Sequence, residues 1–216
     1  IRFMQWIEDF AYRKSDHVIS NLEGAVDHAK ARGLDPGKFT WIPNGFSESE
    51  LSHCEPAGAN ILSDIEGQPF SVTYTGAIGE ANSLDTLISA AEILKARTDI
   101  FFNIVGRGRL TEMLKSAVTS KGLTNVNFWD AVPKSQVQSI LQVSDACVIC
   151  WRDSVLYEHG LAANKLFDYL YSGRPIINAY SGGYDIVERY RAGVTVPAED
   201  SVALAKAIEK LADSGV

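Results

Sequence analysis

The stretch FSVTYTGAIGEANSLDTLISAAEILKARTDIFFNIVGRG, residues 70–108, decides the fold. It opens on a short β-branched apolar run (71–75) and turns on Gly76 and Gly79. Apolar residues then recur three and four apart over 83–96, and a second apolar run follows at 100–105. The period switches from that of a strand to that of a helix and back. Runs this short and this continuously apolar suit strands covered on both faces, and the intervening helix supplies the crossover that parallel neighbours need.

The same unit repeats to the C-terminus. Further apolar runs lie at 126–128, 146–150, 175–179 and 194–196, and helical patterns at 110–121, 135–143, 161–172, 184–191 and 202–213. Gly122 and Gly173 stand where helix stops belong. The pattern predicts an α/β fold with a doubly wound, mostly parallel six-stranded sheet and helices on both faces.

Towards the N-terminus only two βα units are visible: helix 2–13, strand 17–20, helix 22–32 and strand 39–42. A polar stretch opened by Pro43-Asn44-Gly45 follows. Because two units are too few for a domain, residues 1–45 are expected to be the remnant of a preceding domain, 46–66 an interdomain linker, and 67–216 a complete domain.

Composition narrows the classes. Hydrophobic residues at 46% and charged residues at 22% describe a globular chain. A net charge of −7 without a basic cluster argues against a nucleic-acid partner. Three cysteines, Cys54, Cys147 and Cys150, fit a reducing, cytoplasmic setting better than a disulfide framework. Cys147 and Cys150 are spaced as in a zinc site but lack a second pair, so no metal is expected and the segment reads as core strand. No apolar run approaches the roughly 20 residues of a membrane-spanning helix.

Chemistry gathers in two places. The turn Gly76-Ala77-Ile78-Gly79 lets the backbone approach a ligand closely, and the amides that follow favour a phosphate. Gly106-Arg107-Gly108 imitates a dinucleotide fingerprint but has Thr111 where the third glycine belongs and sits after the wrong strand, so NAD is not expected. The second place is Glu158-His159-Gly160-Leu161 and the helix after it. There Asn164 and Asp168 share a face, while Leu166 and Phe167 offer apolar contact. Lys165 can meet a diphosphate, Asp168 can accept from ribose hydroxyls, and His159 can bond a sugar hydroxyl or phosphate. As isolated residues, Lys165 and Asp168 could equally be solvated helix positions.

GLAANKLFDYLYSGRP, residues 160–175, resembles the Gly-x-Ser-Pro-Asn-Lys-Leu-Phe-Asp/Glu-Tyr-Met-x-x-Gly-Lys-Pro signature of bacterial family-4 glycosyltransferases of GT-B fold. The resemblance extends in order over residues 76–94, 102–114, 125–148 and 181–200, and residues 12–45 are similar to the end of the family's N-terminal domain. It implies a donor domain that binds a nucleotide diphosphate sugar as substrate, without cofactor or metal, and transfers the sugar with retention. The acceptor would be a polysaccharide, lipopolysaccharide or lipid-linked glycan. Any membrane contact would be peripheral, at the inner face and through the missing domain, whose absence leaves open whether the fragment is active alone.

Carried over by position, Asp168 stands at the second carboxylate of the family's Glu-x7-Glu motif. The first carboxylate's place falls on Gly160, beside Glu158 and His159. Ala77 and Asn82 stand near the family's basic loop residues, which leaves charge neutralisation to Lys165. Trp129, Ala131 and Val132 mark the base site, although Trp129 could equally be a packing residue. His159 and Lys165 are thus the expected catalytic residues, and Gly76, Ala77, Ile78, Gly79, Trp129, Ala131, Val132, Glu158, Gly160, Leu161, Asn164 and Asp168 the donor contacts. The rival expectations are a nucleotide-sugar epimerase of the same fold and a noncatalytic nucleotide-sugar-binding module.

Overall fold

The computed structural model describes residues 2–47 and 53–215. It divides into one unit of Ile1–Gly45, Ser154–Asn164 and Gly182–Asp185, and another of Phe46–Asp153, Lys165–Ser181 and Ile186–Val216.

In the first unit, helices α1 (Arg2–Lys14) and α2 (Ala25–Ala31) accompany a parallel pair of strands, β1 (Val18–Ser20) and β2 (Phe39–Trp41), with Val18 opposite Phe39. A His28–Glu8 hydrogen bond (2.6 Å) and an Arg32–Asp9 ion pair (2.9 Å) tie the two helices. The helix predicted from residue 22 begins only at Ala25. The Ser20 hydroxyl accepts from the Leu22 amide at 3.0 Å and holds the chain in a local turn that competes with the helix.

The second unit runs α3 (Ala59–Glu66), β3 (Phe70–Thr75), α4 (Leu84–Ile93), β4 (Ile100–Val105), α5 (Thr111–Ser120), β5 (Val126–Trp129), α6 (Lys134–Val143), β6 (Ala146–Cys150), α7 (Asn164–Ser172), β7 (Ile176–Ala179), α8 (Ile186–Arg189), β8 (Gly193–Val196) and α9 (Ser201–Asp213). All six strands from β3 onward pair in parallel in the order β5-β4-β3-β6-β7-β8, as the apolar runs predict. On one face Val72, Tyr74, Phe102, Ile104 and Val148 pack against Leu87 of α4, Leu114 of α5 and Leu204 of α9. On the other, Val105 joins Ile61 and Ile65 of α3 and Ile140 of α6. The order reverses at β3, whose neighbours β4 and β6 lead the chain in opposite directions, and it is beyond such a reversal that open sheets leave a crevice at the carboxyl ends of their strands.

Within the stretch 46–66, expected to be a linker, α3 buries Ile61 and Ile65, four residues apart, against α6; residues 48–52 of that stretch lie outside the described residues. Two expectations need correction. The helix expected from 161 starts at Asn164, because Gly160 takes φ +102° and the Ala162 carbonyl accepts from Asn44 Nδ2 at 2.9 Å, which keeps these residues out of the helical ladder. The helix expected over 184–191 shrinks to Ile186–Arg189 because Tyr184 and Arg191 both sit in the left-handed region, at φ +56° and +53°. Among the described residues, no helix is long and apolar enough to cross a membrane.

Candidate functional site

At the carboxyl ends of β3, β4 and β5 three loops and the start of α7 enclose a cleft of about 410 Å³. That volume suits a small organic ligand. The first two loops run side by side, since the Gly76 amide donates to Val105 O (2.9 Å) and the Ile78 amide to Arg107 O (3.0 Å). A Cβ on Gly106 would lie 1.9 Å from the Gly76 carbonyl, and one on Gly108 2.1 Å from that of Ile78. The two glycines of the false fingerprint thus admit a neighbouring loop rather than a dinucleotide. Thr111, in the third glycine's place, donates its hydroxyl to Gly108 O at 2.8 Å and closes the turn into α5.

Lys165, at the start of α7, is largely buried beneath the first loop. Its Nζ donates to Tyr74 Oη at 2.6 Å and to Asn82 Oδ1 at 2.7 Å, and lies 4.3 Å from the Tyr74 ring centroid. Tyr74 Oη and Asn82 Nδ2 both donate to Ala77 O, at 2.6 and 2.9 Å. One ring of hydrogen bonds therefore fixes both the ammonium and the loop beside it. Burial pulls the Lys165 pKa down to about 8, opposed by the neighbouring Cys150 thiol. The same desolvation raises the Tyr74 hydroxyl, which stays protonated and able to donate.

Asp168, one helical turn further on, has a side chain only 14% exposed and pairs with Lys134, the first residue of α6. Gln138 of the same helix donates to the Asp168 backbone carbonyl at 3.0 Å. Lys134 and Arg107 line the cleft together with Lys165, so its lining carries three cations and one carboxylate. Neither Lys134 nor Arg107 is among the residues expected from the sequence. The available signal was position, since each follows a parallel strand's carboxyl end.

Of the residues expected at a site, the structure brings Gly76, Ala77, Ala131, Val132, Lys165 and Asp168 to this cleft. Ile78 is buried in the core, and Gly79 does not line the cleft. Trp129 packs against the cluster of Ile61, Ile65 and Ile140, and its indole donates to Asn103 Oδ1 at 3.2 Å. Its packing alternative is the observed one. Glu158, His159, Gly160, Leu161 and Asn164 belong to the first unit. There His159 O accepts from the Gly24 amide (3.0 Å), its ring lies 5.6 Å from that of His28, and Asn164 Oδ1 accepts from Asn44 Nδ2 (2.9 Å). Cys147 and Cys150 are buried in β6, and burial pushes both thiols up to about 12, as inert core residues require. Among the described residues, no three His, Cys, Asp or Glu side chains are placed to hold a metal.

Residues 69–214 match the family described as "Glycosyl transferases group 1". The chain is 23% identical over 137 residues to WcaI of Escherichia coli (strain K12), named as a colanic acid biosynthesis glycosyl transferase, a match covering 62% of this chain and 33% of WcaI. Among solved structures it is similar to Anabaena Alr3699/HepE in complex with UDP-glucose, at 16% identity and a TM-score of 0.73, covering 99% of this chain and 60% of that one. It is also similar to WaaG, a glycosyltransferase involved in lipopolysaccharide biosynthesis, at 15% identity and a TM-score of 0.73, covering 98% of this chain and 58% of that one. The chain thus spans a third of its curated relative and about three fifths of these structures.

Proposed function

We propose that this chain, which belongs to the group 1 glycosyl transferases, binds a nucleoside diphosphate sugar in the β3–β5 cleft and is the donor-binding part of an enzyme that transfers the sugar to a glycan or lipid-linked acceptor. One observation carries the reading: a single cleft holds a fixed ammonium under the Gly76–Ala77 turn and, one helical turn away, a carboxylate. A ligand with a diphosphate at one end and a vicinal diol at the other meets that pattern. The nucleotide complexes of HepE, a structure of the same fold, support it.

The chemistry asked of the cleft is electrostatic. Departure of the nucleoside diphosphate develops negative charge, and pre-placed cations and amides stabilise it without reorganising. The Gly76 and Ile78 amides are spent on Val105 and Arg107. The loop's contribution then falls to the amide of Ala77, and the charge to Lys165 with Arg107. The reading requires no cofactor, since the nucleotide sugar is itself the substrate. Residues 67–216 are read as the donor domain and 1–45 as part of the acceptor domain. His159 is read as catalytic, and Glu158, Gly160, Leu161 and Asn164 as donor contacts, as the sequence leads one to expect. Transfer with retention, a cytoplasmic setting and peripheral contact with the inner face of the membrane complete the proposal.

Calorimetric titration with UDP, GDP and ADP tests it. At least one is expected to bind, and Asp168→Ala to weaken that binding about tenfold or more, the scale of a lost hydrogen bond to a charged group. Absence of binding by all three would sink the donor-site reading.

A further inference from the structure

Asp168 does not stand alone at the cleft wall. Lys134 and Gln138 are four residues apart on α6 and so share a face, and both reach Asp168 on α7. Lys134 holds the carboxylate and Gln138 the backbone carbonyl, at 3.0 Å. One residue is therefore gripped twice by the neighbouring helix, and the grip is asymmetric in exposure. Gln138 is 5% exposed and packed, whereas the Lys134 side chain is 58% exposed and reaches in from solvent. The pair also divides the cleft from a second cavity of about 250 Å³ behind it, which Lys134 and Asp168 line as well.

We infer that Lys134 is a specificity-determining residue that presets Asp168 for a ribose diol and so makes the cleft prefer ribonucleotides to deoxyribonucleotides. This rests on the reading of the cleft as a nucleoside diphosphate site. A carboxylate offers about four acceptor positions. With the Asp168 carbonyl tied to Gln138 and one carboxylate oxygen tied to Lys134, the remaining positions are fixed in direction and suited to two neighbouring hydroxyl donors. Without the ammonium the carboxylate can turn towards solvent, and the diol must pay for reordering it. Lys134 touches the carboxylate rather than any reacting atom, so its role is positioning.

The test is a ratio of affinities. Wild-type protein, Lys134→Met and Lys134→Arg are titrated with UDP, GDP and ADP and with their 2′,3′-dideoxy counterparts. Lys134→Met is expected to weaken the ribonucleotide about five- to tenfold, the cost of one preorganised charge-assisted contact. It should leave the dideoxynucleotide within about twofold, so that discrimination collapses, while Lys134→Arg restores it. Equal weakening of both ligands would mean that Lys134 is only a phosphate-attracting cation and overturns the inference. So would tighter ribonucleotide binding by Lys134→Met, which would make the lysine a competitor of the diol. Binding of none of the ligands by wild-type protein would remove the donor site and this inference together, whereas wild-type binding with an unchanged ratio removes only the inference.

Discussion

A helical lysine largely buried beneath a glycine-rich turn sets two demands against each other. Water would solvate the Lys165 ammonium better than the pocket does, and its pKa of about 8 records that cost. Between pH 8 and the ordinary lysine range the unfolded chain holds the proton more firmly than the folded one. The penalty is therefore fully present below pH 8, and stability rises as pH increases from 8 towards 10.5. Donor binding should run the other way. A diphosphate needs the charged amine, so affinity for the nucleoside diphosphate is expected to hold below pH 8 and to fall up to about tenfold per unit above it. Lys165→Arg, which keeps its charge, should flatten that profile. Lys165→Met should abolish binding and yet stabilise the fold by something on the order of 1–3 kcal/mol, visible as a raised melting temperature. A Lys165→Met protein that melts lower and binds normally would show that the lysine serves packing alone.

Elements were legible where their pattern is local. β4 and β6 match their apolar runs end to end, because nearly every residue in them is buried and the run itself records that burial. The helices fared worse wherever a distant partner sets the boundary. Asn44, 118 residues away in sequence, takes the Ala162 carbonyl that a helix beginning at 161 would need, and nothing near Ala162 announces it. α3 was read as linker because eight residues with two buried isoleucines give too short a period to stand out. At the site, Lys165 and Asp168 were found through the family signature, but the Lys134 partnership depends on two helices meeting and has no local mark. The paired loops give this scale its prediction. Gly106 has φ +155° and faces the Gly76 carbonyl, so Gly106→Ala must push the two loops apart. We expect a loss of about 2 kcal/mol or more in denaturant unfolding, with weaker nucleotide binding because the Lys165 ring of hydrogen bonds moves with the loop. Unchanged unfolding and binding would show that the loops separate without cost.

At the scale of the whole molecule, the second unit carries a continuous core of its own: β3, β4 and β6 are covered on one face by α4, α5 and α9, and Val105 and Ile140 of α6 are covered on the other by α3. That makes α3 the decisive edge of the folding unit, although the sequence pattern places the boundary after it. Ile65 is fully buried and Ile61 is 5% exposed, and at roughly 2 kcal/mol each their burial contributes about 3–5 kcal/mol. A fragment of residues 55–216 should therefore unfold as one cooperative transition. A fragment of residues 67–216, which lacks α3 and uncovers Val105 and Ile140, should melt about 10 °C lower, given the few degrees per kcal/mol typical of a chain this size. It should also bind hydrophobic dyes. The same truncation removes the packing partner of α6, the helix that carries Lys134 and Gln138 to Asp168, so nucleotide affinity should fall even at temperatures where the shorter fragment remains folded. Equal melting temperatures for the two fragments would show that α3 is an appendage, and the domain would then begin at β3 as the apolar runs suggest.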